Sequence, residues 1–214
     1  MTTATVTHQS RQRVDASRNR ERIIEAAREA FIENGPDVPL DAIAHRAGVG
    51  NATLYRHFAD RRELVLQVTL SSFDRITEAA EAALADDTDA FEALRGFVHR
   101  AARERVGSLC SLLSPTLHKG SDDITAARLQ LDETINRLMD RARRSGQLRA
   151  DVALGDLMIA ITQLTRPLPG RMCGDFDRFM HRHLELFIDG LHNPARSTLP
   201  GSAVTFEDLE RDDS

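Results

Sequence analysis

The chain is expected to fold as an all-α protein of about nine helices, and three observations predict it. Apolar residues recur at three- and four-residue steps through most of the 214 residues. The breaks between these stretches carry helix stop and start signals: Gly and Pro at the ends, Ser and Asp at the beginnings. No segment alternates apolar and polar residues for long enough to make a strand that matters. No internal repeat is visible.

Residues 1–16 are polar and without periodicity, and are expected to form a flexible N-terminal arm. Arg11 and Arg13 on it could follow a groove or phosphate of DNA, although a solvated tail explains them better. From Ser17 a helix is signalled. Ile23, Ile24, Ala27, Ala30 and Phe31 make one apolar stripe, with Arg22, Glu25, Arg28, Glu29 and Glu33 covering the other side. Gly35-Pro36 ends it.

The stretch Leu40–Phe58, LDAIAHRAGVGNATLYRHF, reads as two short helices pinned at a tight corner. Leu40, Ile43, Ala44 and Ala47 keep to one helix face. Gly48 is a residue type that accepts the left-handed conformation at a helix end. Val49 is placed to plug the corner, and Asn51 can cap the second helix. In that second helix Leu54 and Phe58 share a buried face. With Asn51 at zero, Ala52, Thr53, Arg56 and His57 fall at roughly 100° to 240°, away from that face. A short helix with a packed back and a small, polar and basic front is the reading element of a helix-turn-helix.

Asp60, with Glu63 three residues on, has capping-box spacing. It opens a helix carried by Leu64, Val65, Val68, Phe73 and Ile76 to about Leu84. Asp86-Asp87-Thr88 is a turn. The next helix shows Phe91, Leu94, Val98 and Ala101, with Phe97 at the edge of the stripe. Residues 106–118 are almost wholly apolar or small, and Pro115 should end or kink them. Ser121 opens a segment of about 24 residues with Ile124, Leu131, Ile135 and Leu138, stopped by Gly146. Asp151 opens another, broken by Pro167 and Pro169. A last helix is expected from about Asp175 to His192, then a loose acidic tail over 193–214.

Charge is uneven along the chain. Residues 1–62 carry a net +2 and the rest −7, within a total of −5. A slightly basic first quarter suits a head that meets DNA. No apolar run approaches a membrane span, and the polar start lacks the hydrophobic segment of a signal peptide, so the chain is expected in the cytoplasm. Cys110 and Cys173 are isolated and lack metal-ligand spacing. The rings of His181 and His183 lie on different helix faces, and no HExxH, CxxC, GxSxG, P-loop or GxGxxG is present. Neither a metal, nor a cofactor, nor an enzyme is expected.

The signatures IIEAAREAFIENG, IAHRAGVGNATLYRHF and Asp60-Arg61-Arg62-Glu63-Leu64, in that order and at that spacing, resemble the tetracycline-repressor (TetR) family of bacterial transcription regulators. The likeness is strongest over 17–68, with a weaker echo in SGQLRADV at 145–152. It implies a helix-turn-helix DNA-binding domain over 17–62 and a ligand-binding and dimerisation domain over 63–192. It also implies DNA contacts from Asn51, Ala52, Thr53, Tyr55, Arg56 and His57, with Arg61 in place of a phosphate-binding Lys. The face geometry agrees except for Asn51 and Tyr55, which it sets near the buried edge. Arg56 can bind guanine O6 and N7 bidentately, and Asn51 can either pair with adenine or cap its helix. The family usually has Ser or Thr at position 39. Pro39 is acceptable there as a first helical residue, at the expense of any phosphate contact.

The resemblance further implies that the last two helices pair across a two-fold axis, through Leu157, Ile161, Leu164, Phe176, Phe179, Met180, Leu184 and Phe187. It places an effector pocket among the middle helices, with Phe73, Phe91, His99, Cys110, Leu113, Thr162 and Gln163 as candidates. The expected protein is thus a homodimeric repressor, released from a palindromic operator by a small, partly hydrophobic organic effector. The alternative is a constitutive DNA-binding regulator or activator whose helical body only dimerises or binds protein.

Overall fold

The structure, a computed structural model, describes residues 3–105, 107, 121–166, 176–205 and 208. Eight helices are found among them: α1 (Thr3–Asn34), α2 (Leu40–Arg46), α3 (Asn51–His57), α4 (Arg61–Ala85), α5 (Ala90–Arg103), α6 (Asp122–Arg144), α7 (Leu154–Leu164) and α8 (Phe176–Gly190). The only β-type pairing in this set is an isolated bridge between Leu148 and His192. The fold is all-α. The helix expected over 106–118, apart from Gly107, and the breaks at Pro167 and Pro169 lie outside the described residues.

Two compact units divide the chain, one running to Ser71 and the other starting at Ser72, inside α4 rather than at its first turn. In the first unit α1, α2 and α3 pack on one another. Ile23, Ala27 and Phe31 of α1, Ile43 and Ala44 of α2, Leu54 of α3, Phe58, and Leu64 and Val68 of α4 are all close to fully buried. Each such large side chain contributes about 1.5–3 kcal/mol on leaving water. Arg46 clips α2 to α1 through Glu33 at 2.5 Å, with Glu29 at 3.9 Å.

The first helix differs from expectation at two points. It begins at Thr3, so the backbone of the expected arm is helical. No Gly or Pro interrupts Thr3–Asn34, and the modest propensities of Thr, Ser and Val do not stop a helix that a packed C-terminal half already nucleates. Arg28, placed by its charge on the outer side, is buried and pairs with Glu25 at 3.5 Å. It stands four residues after Ile24 and three before Phe31, so geometry puts it on their face.

In the second unit α5 lies against α6, α7 and α8, and α7 also meets α6 and α8. Phe91, Phe97 and Val98 of α5, Ile135 and Leu138 of α6, Leu157 and Ile161 of α7, and Leu184 of α8 form its centre. Phe97, expected at the stripe's edge, is fully buried because three helices rather than one cover α5. The caps follow the sequence. Asp89 accepts from the N–H of Phe91 and Glu92 at 3.0 and 3.2 Å, and Ser121 from that of Ile124 at 3.4 Å. Gly107 sits so close to the end of α7 that a Cβ would come within 2.0 Å of the Thr162 carbonyl.

Two arginines hold the connections. Arg141 donates to the carbonyls of Ala83, Leu84 and Thr88, closing the turn after α4. Arg149, buried, donates to both carboxylate oxygens of Asp151 and to the carbonyls of Gly190 and Ser197. Asp151 therefore serves Arg149 and does not open α7, whose first turn is closed by Asp156 accepting from Ala153 N–H. Asp156 also accepts from Val204 N–H at 3.2 Å, and Asn193 bonds back to Gly146 and Gln147. Residues 193–205 are thus tied onto α7 and the loop before it, where a loose tail was expected. Backbone groups supply those bonds, and backbone leaves no mark in side-chain periodicity.

Candidate nucleic-acid interface

The reading helix is set by its corner. Gly48 has a φ of +63°, the left-handed value that a side chain disfavours. Its N–H bonds to the His45 carbonyl and the N–H of Val49 to that of Ala44, each at 3.0 Å, so the end of α2 is satisfied as the chain turns. Arg22 of α1 adds a bond from its guanidinium to the Ala47 carbonyl at 2.5 Å. Pro39 stands just outside α2, where its carbonyl accepts from Ala42 and Ile43; it was expected one position later, as the first helical residue.

With Leu54 and Phe58 buried, the other residues of α3 turn outward. Asn51, Ala52, Tyr55 and Arg56 are exposed, while Thr53 and His57 are half-buried. Tyr55 is 51% exposed, so the expected buried edge does not hold for it. The helix is only seven residues long and rests on its partners at Leu54, which leaves its flanks open. Asn51 is not the cap either. Gly50 takes that position, and the Asn51 side-chain amide donates to Asp41 of α2 at 2.8 Å.

His57 Nε2 is buried and has no hydrogen-bond partner among the described residues. Burial, then the nearby charges of Arg56 and Arg20, hold this imidazole below its ordinary pKa. Arg20 lies with its guanidinium 5.4 Å from the centre of the Phe58 ring. Arg61 departs from the other six. Its guanidinium donates to the carbonyls of Pro36, at 2.6 Å, and Val38, and so clamps the loop between α1 and α2 instead of facing outward with α3. The supporting residues Arg22 and Asp41 were missed as parts of the site. Both act through hydrogen bonds across a turn, for which sequence spacing gives no signal.

The second unit holds a recess of about 450 Å³ lined by His99, Arg103, Arg105, Met180, His181 and Leu184. Of the five expected pocket residues that are described, only His99 lines it. Phe91 is core, stacked on His192 at 3.7 Å between ring centres. Phe73 is half-buried against the core, Thr162 is half-buried, and Gln163 is exposed. Cys110 and Leu113 lie outside the described residues. His99 and Arg95 bond to Glu185, each at 2.6 Å. Burial acts to raise the Glu185 carboxyl, but those bonds outweigh it and hold it below the usual carboxylate range.

The expected dimer residues split. Leu157, Ile161, Met180 and Leu184 are buried in this unit's own core, which corrects their assignment to an interface. Leu164 and Phe187 are partly buried against that core, and the Phe176 side chain is outside what the structure describes. Among those whose side chains are described, Phe179 alone is open, 39% exposed, joined by Leu186 at 59% on α8 and Ile159 at 38% on α7. The most regular apolar stripe of each helix is consumed internally.

Residues 23–68 match the family described as bacterial regulatory proteins, tetR family, and residues 87–193 match the C-terminal domain of SbtR-like transcriptional regulators. Over 59 residues, 27% of this chain, the sequence is 48% identical to the HTH-type transcriptional regulator TtgW of Pseudomonas putida. The matched part is 43% of that relative, so the chain spans less than half the length of the curated protein it resembles. A TetR transcription regulatory protein from Mycobacterium vanbaalenii is 31% identical with a TM-score of 0.60, over 85% of this chain and 99% of that one. The regulator SCO0520 from Streptomyces coelicolor is 29% identical with a TM-score of 0.62, over 82% and 99%.

Proposed function

The chain belongs to the TetR family of helix-turn-helix transcriptional regulators, which are not enzymes, and from that premise we propose a homodimeric repressor acting in the cytoplasm on a palindromic operator. The observation that carries this reading is α3. Its back is packed through Leu54, while Asn51, Ala52, Tyr55 and Arg56 stand exposed on a helix fixed at both ends. Arg56, whose guanidinium makes no hydrogen bond or ion pair among the described residues, is the base reader; Thr53, Tyr55 and His57 serve phosphates or the groove edge. Arg61 positions the head rather than touching DNA.

One seven-residue helix reads too few bases, so two copies are needed on half-sites one helical turn apart or a multiple, about 34–36 Å. Ile159, Phe179 and Leu186 supply the exposed apolar face that a second copy would cover. A small, partly hydrophobic effector binds in the body, where the recess has an apolar floor of Met180 and Leu184 and a size within the range of small-molecule sites. By preferring a body conformation that does not suit DNA, it lowers operator affinity through α4. A 100-fold release requires a coupling of about 2.7 kcal/mol.

Selection of sites from a random DNA pool, repeated with candidate ligands, tests the reading. A near-palindromic consensus whose recovery falls with one ligand is expected. Recovery of unrelated sequences would sink it, and a consensus indifferent to every ligand would leave a constitutive regulator.

A further inference from the structure

Three metal-ligand side chains meet where α5 faces α8. Glu185 Oε1 is 2.6 Å from His99 Nε2 and 4.0 Å from His181 Nε2. The two imidazole rings are 4.5 Å apart between centres, and one ligand atom of each of the three residues lies within 4.8 Å of the others. We propose that His99, His181 and Glu185 bind a divalent transition-metal ion of the zinc class.

The spacing fits such an ion. Zinc takes imidazole nitrogen and carboxylate oxygen at about 2.0–2.2 Å, so two ligands of a tetrahedral ion stand roughly 3.3 Å apart. The separations of 2.6 and 4.0 Å bracket that value, and sub-ångström shifts bring both to it. His181 is free to make its share of the shift, since its side chain is 66% exposed; that of His99 is 15% exposed and fixed by the core. His181 and Glu185 are four residues apart on α8 and project from one face, which places two ligands on a single helix.

The surroundings also fit. Arg95 Nη2 holds the other oxygen of Glu185 at 2.6 Å, which orients the carboxylate and leaves Oε1 turned to the imidazoles. Two nitrogens and one oxygen suit zinc, cobalt or nickel and do not suit calcium or magnesium, which require oxygen donors. Three protein ligands leave a fourth position open, and His99 and His181 also line the recess with Arg103 and Arg105. Beside those cations the fourth ligand is an anion, hydroxide or an oxygen donor of a bound molecule. The proposal stands on the second unit alone and does not depend on DNA binding.

The test is titration of the chelator-stripped full chain with zinc by calorimetry, and with cobalt by visible absorption. One ion per chain, a tetrahedral cobalt spectrum and no competition from magnesium are expected. His181→Ala, at an exposed position, should weaken zinc binding at least tenfold while leaving the thermal unfolding of the stripped protein unchanged. His99→Gln and Glu185→Gln should do the same to binding. Absence of stoichiometric binding would overturn the proposal and leave an Arg95–Glu185–His99 ion-pair network. Binding untouched by His181→Ala would overturn it too, since the ion would then sit elsewhere.

Discussion

The side-chain amide of Asn51 donates to the carboxylate of Asp41 across 2.8 Å, joining the first residue of the reading helix to the first turn of the helix before it. An exposed bond of this kind is worth about 0.5–1 kcal/mol. Asp41→Ala and Asn51→Ala should each lower the stability of the protein by about that much in denaturant titration, and the double variant should lose no more than either alone. Additive losses would show that the pair is not coupled in solution.

Arg56 and Arg61 should separate cleanly. Arg56→Ala should leave the unfolding midpoint unchanged and cost about 1–3 kcal/mol of operator affinity, with relaxed preference at one base position. Arg61→Ala removes two bonds to carbonyls and should cost about 1–2 kcal/mol of stability. Equal losses on operator and random DNA for Arg56→Ala would remove it from the base readers. An unchanged midpoint for Arg61→Ala would show the clamp to be idle.

His57 gives a pH dependence of known sign. Its folded pKa lies below the ordinary value near 6.5, so the unfolded chain binds the proton more readily. Stability should therefore fall as pH drops below about 6.5 toward the lower folded value. His57→Gln should flatten this part of the profile measured by thermal unfolding between pH 7.5 and 5. A slope identical in both proteins would assign it to other groups.

Gly48 and Gly146 share a left-handed backbone, with φ of +63° and +77°. A Cβ at Gly146 meets nothing within 4 Å, while one at Gly48 comes within 2.7 Å of the Arg22 guanidinium. Gly146→Ala should cost the conformational strain alone, about 1–2 kcal/mol. Gly48→Ala should cost more and also weaken operator binding, because Arg22 must give up the Ala47 carbonyl. Equal costs in chemical denaturation would contradict the close approach.

Leu186→Glu and Phe179→Glu place charge on the exposed apolar face of α8 and should shift the protein from dimer to monomer in sedimentation equilibrium. Leu184→Ala, in the core, should instead destabilise the chain by about 2–5 kcal/mol. A dimer unaffected by either charge would move the interface to another face.

The head was legible because its rules are local. Gly48, the Leu54–Phe58 pair and Asp60 with Glu63 each declare themselves within four residues, and the structure has Glu63 N–H on Asp60 and Ala59 N–H on Glu63. The body was legible only as helices. Periodicity tells that Leu157 and Leu184 face something apolar, but a core and a partner subunit are equally apolar, and only packing separates them.

By itself, the sequence determined the all-α fold, the corner at Gly48 and the outward face of α3, because backbone conformation and helix period act over one or two turns. Tertiary structure decided the rest. It turned Arg61 inward onto carbonyls 23 and 25 residues away, gave Asn51 to Asp41, docked residues 193–205, and brought His99 to Glu185 across 86 positions. These pairings depend on which helices pack together, and no spacing along a single helix encodes that.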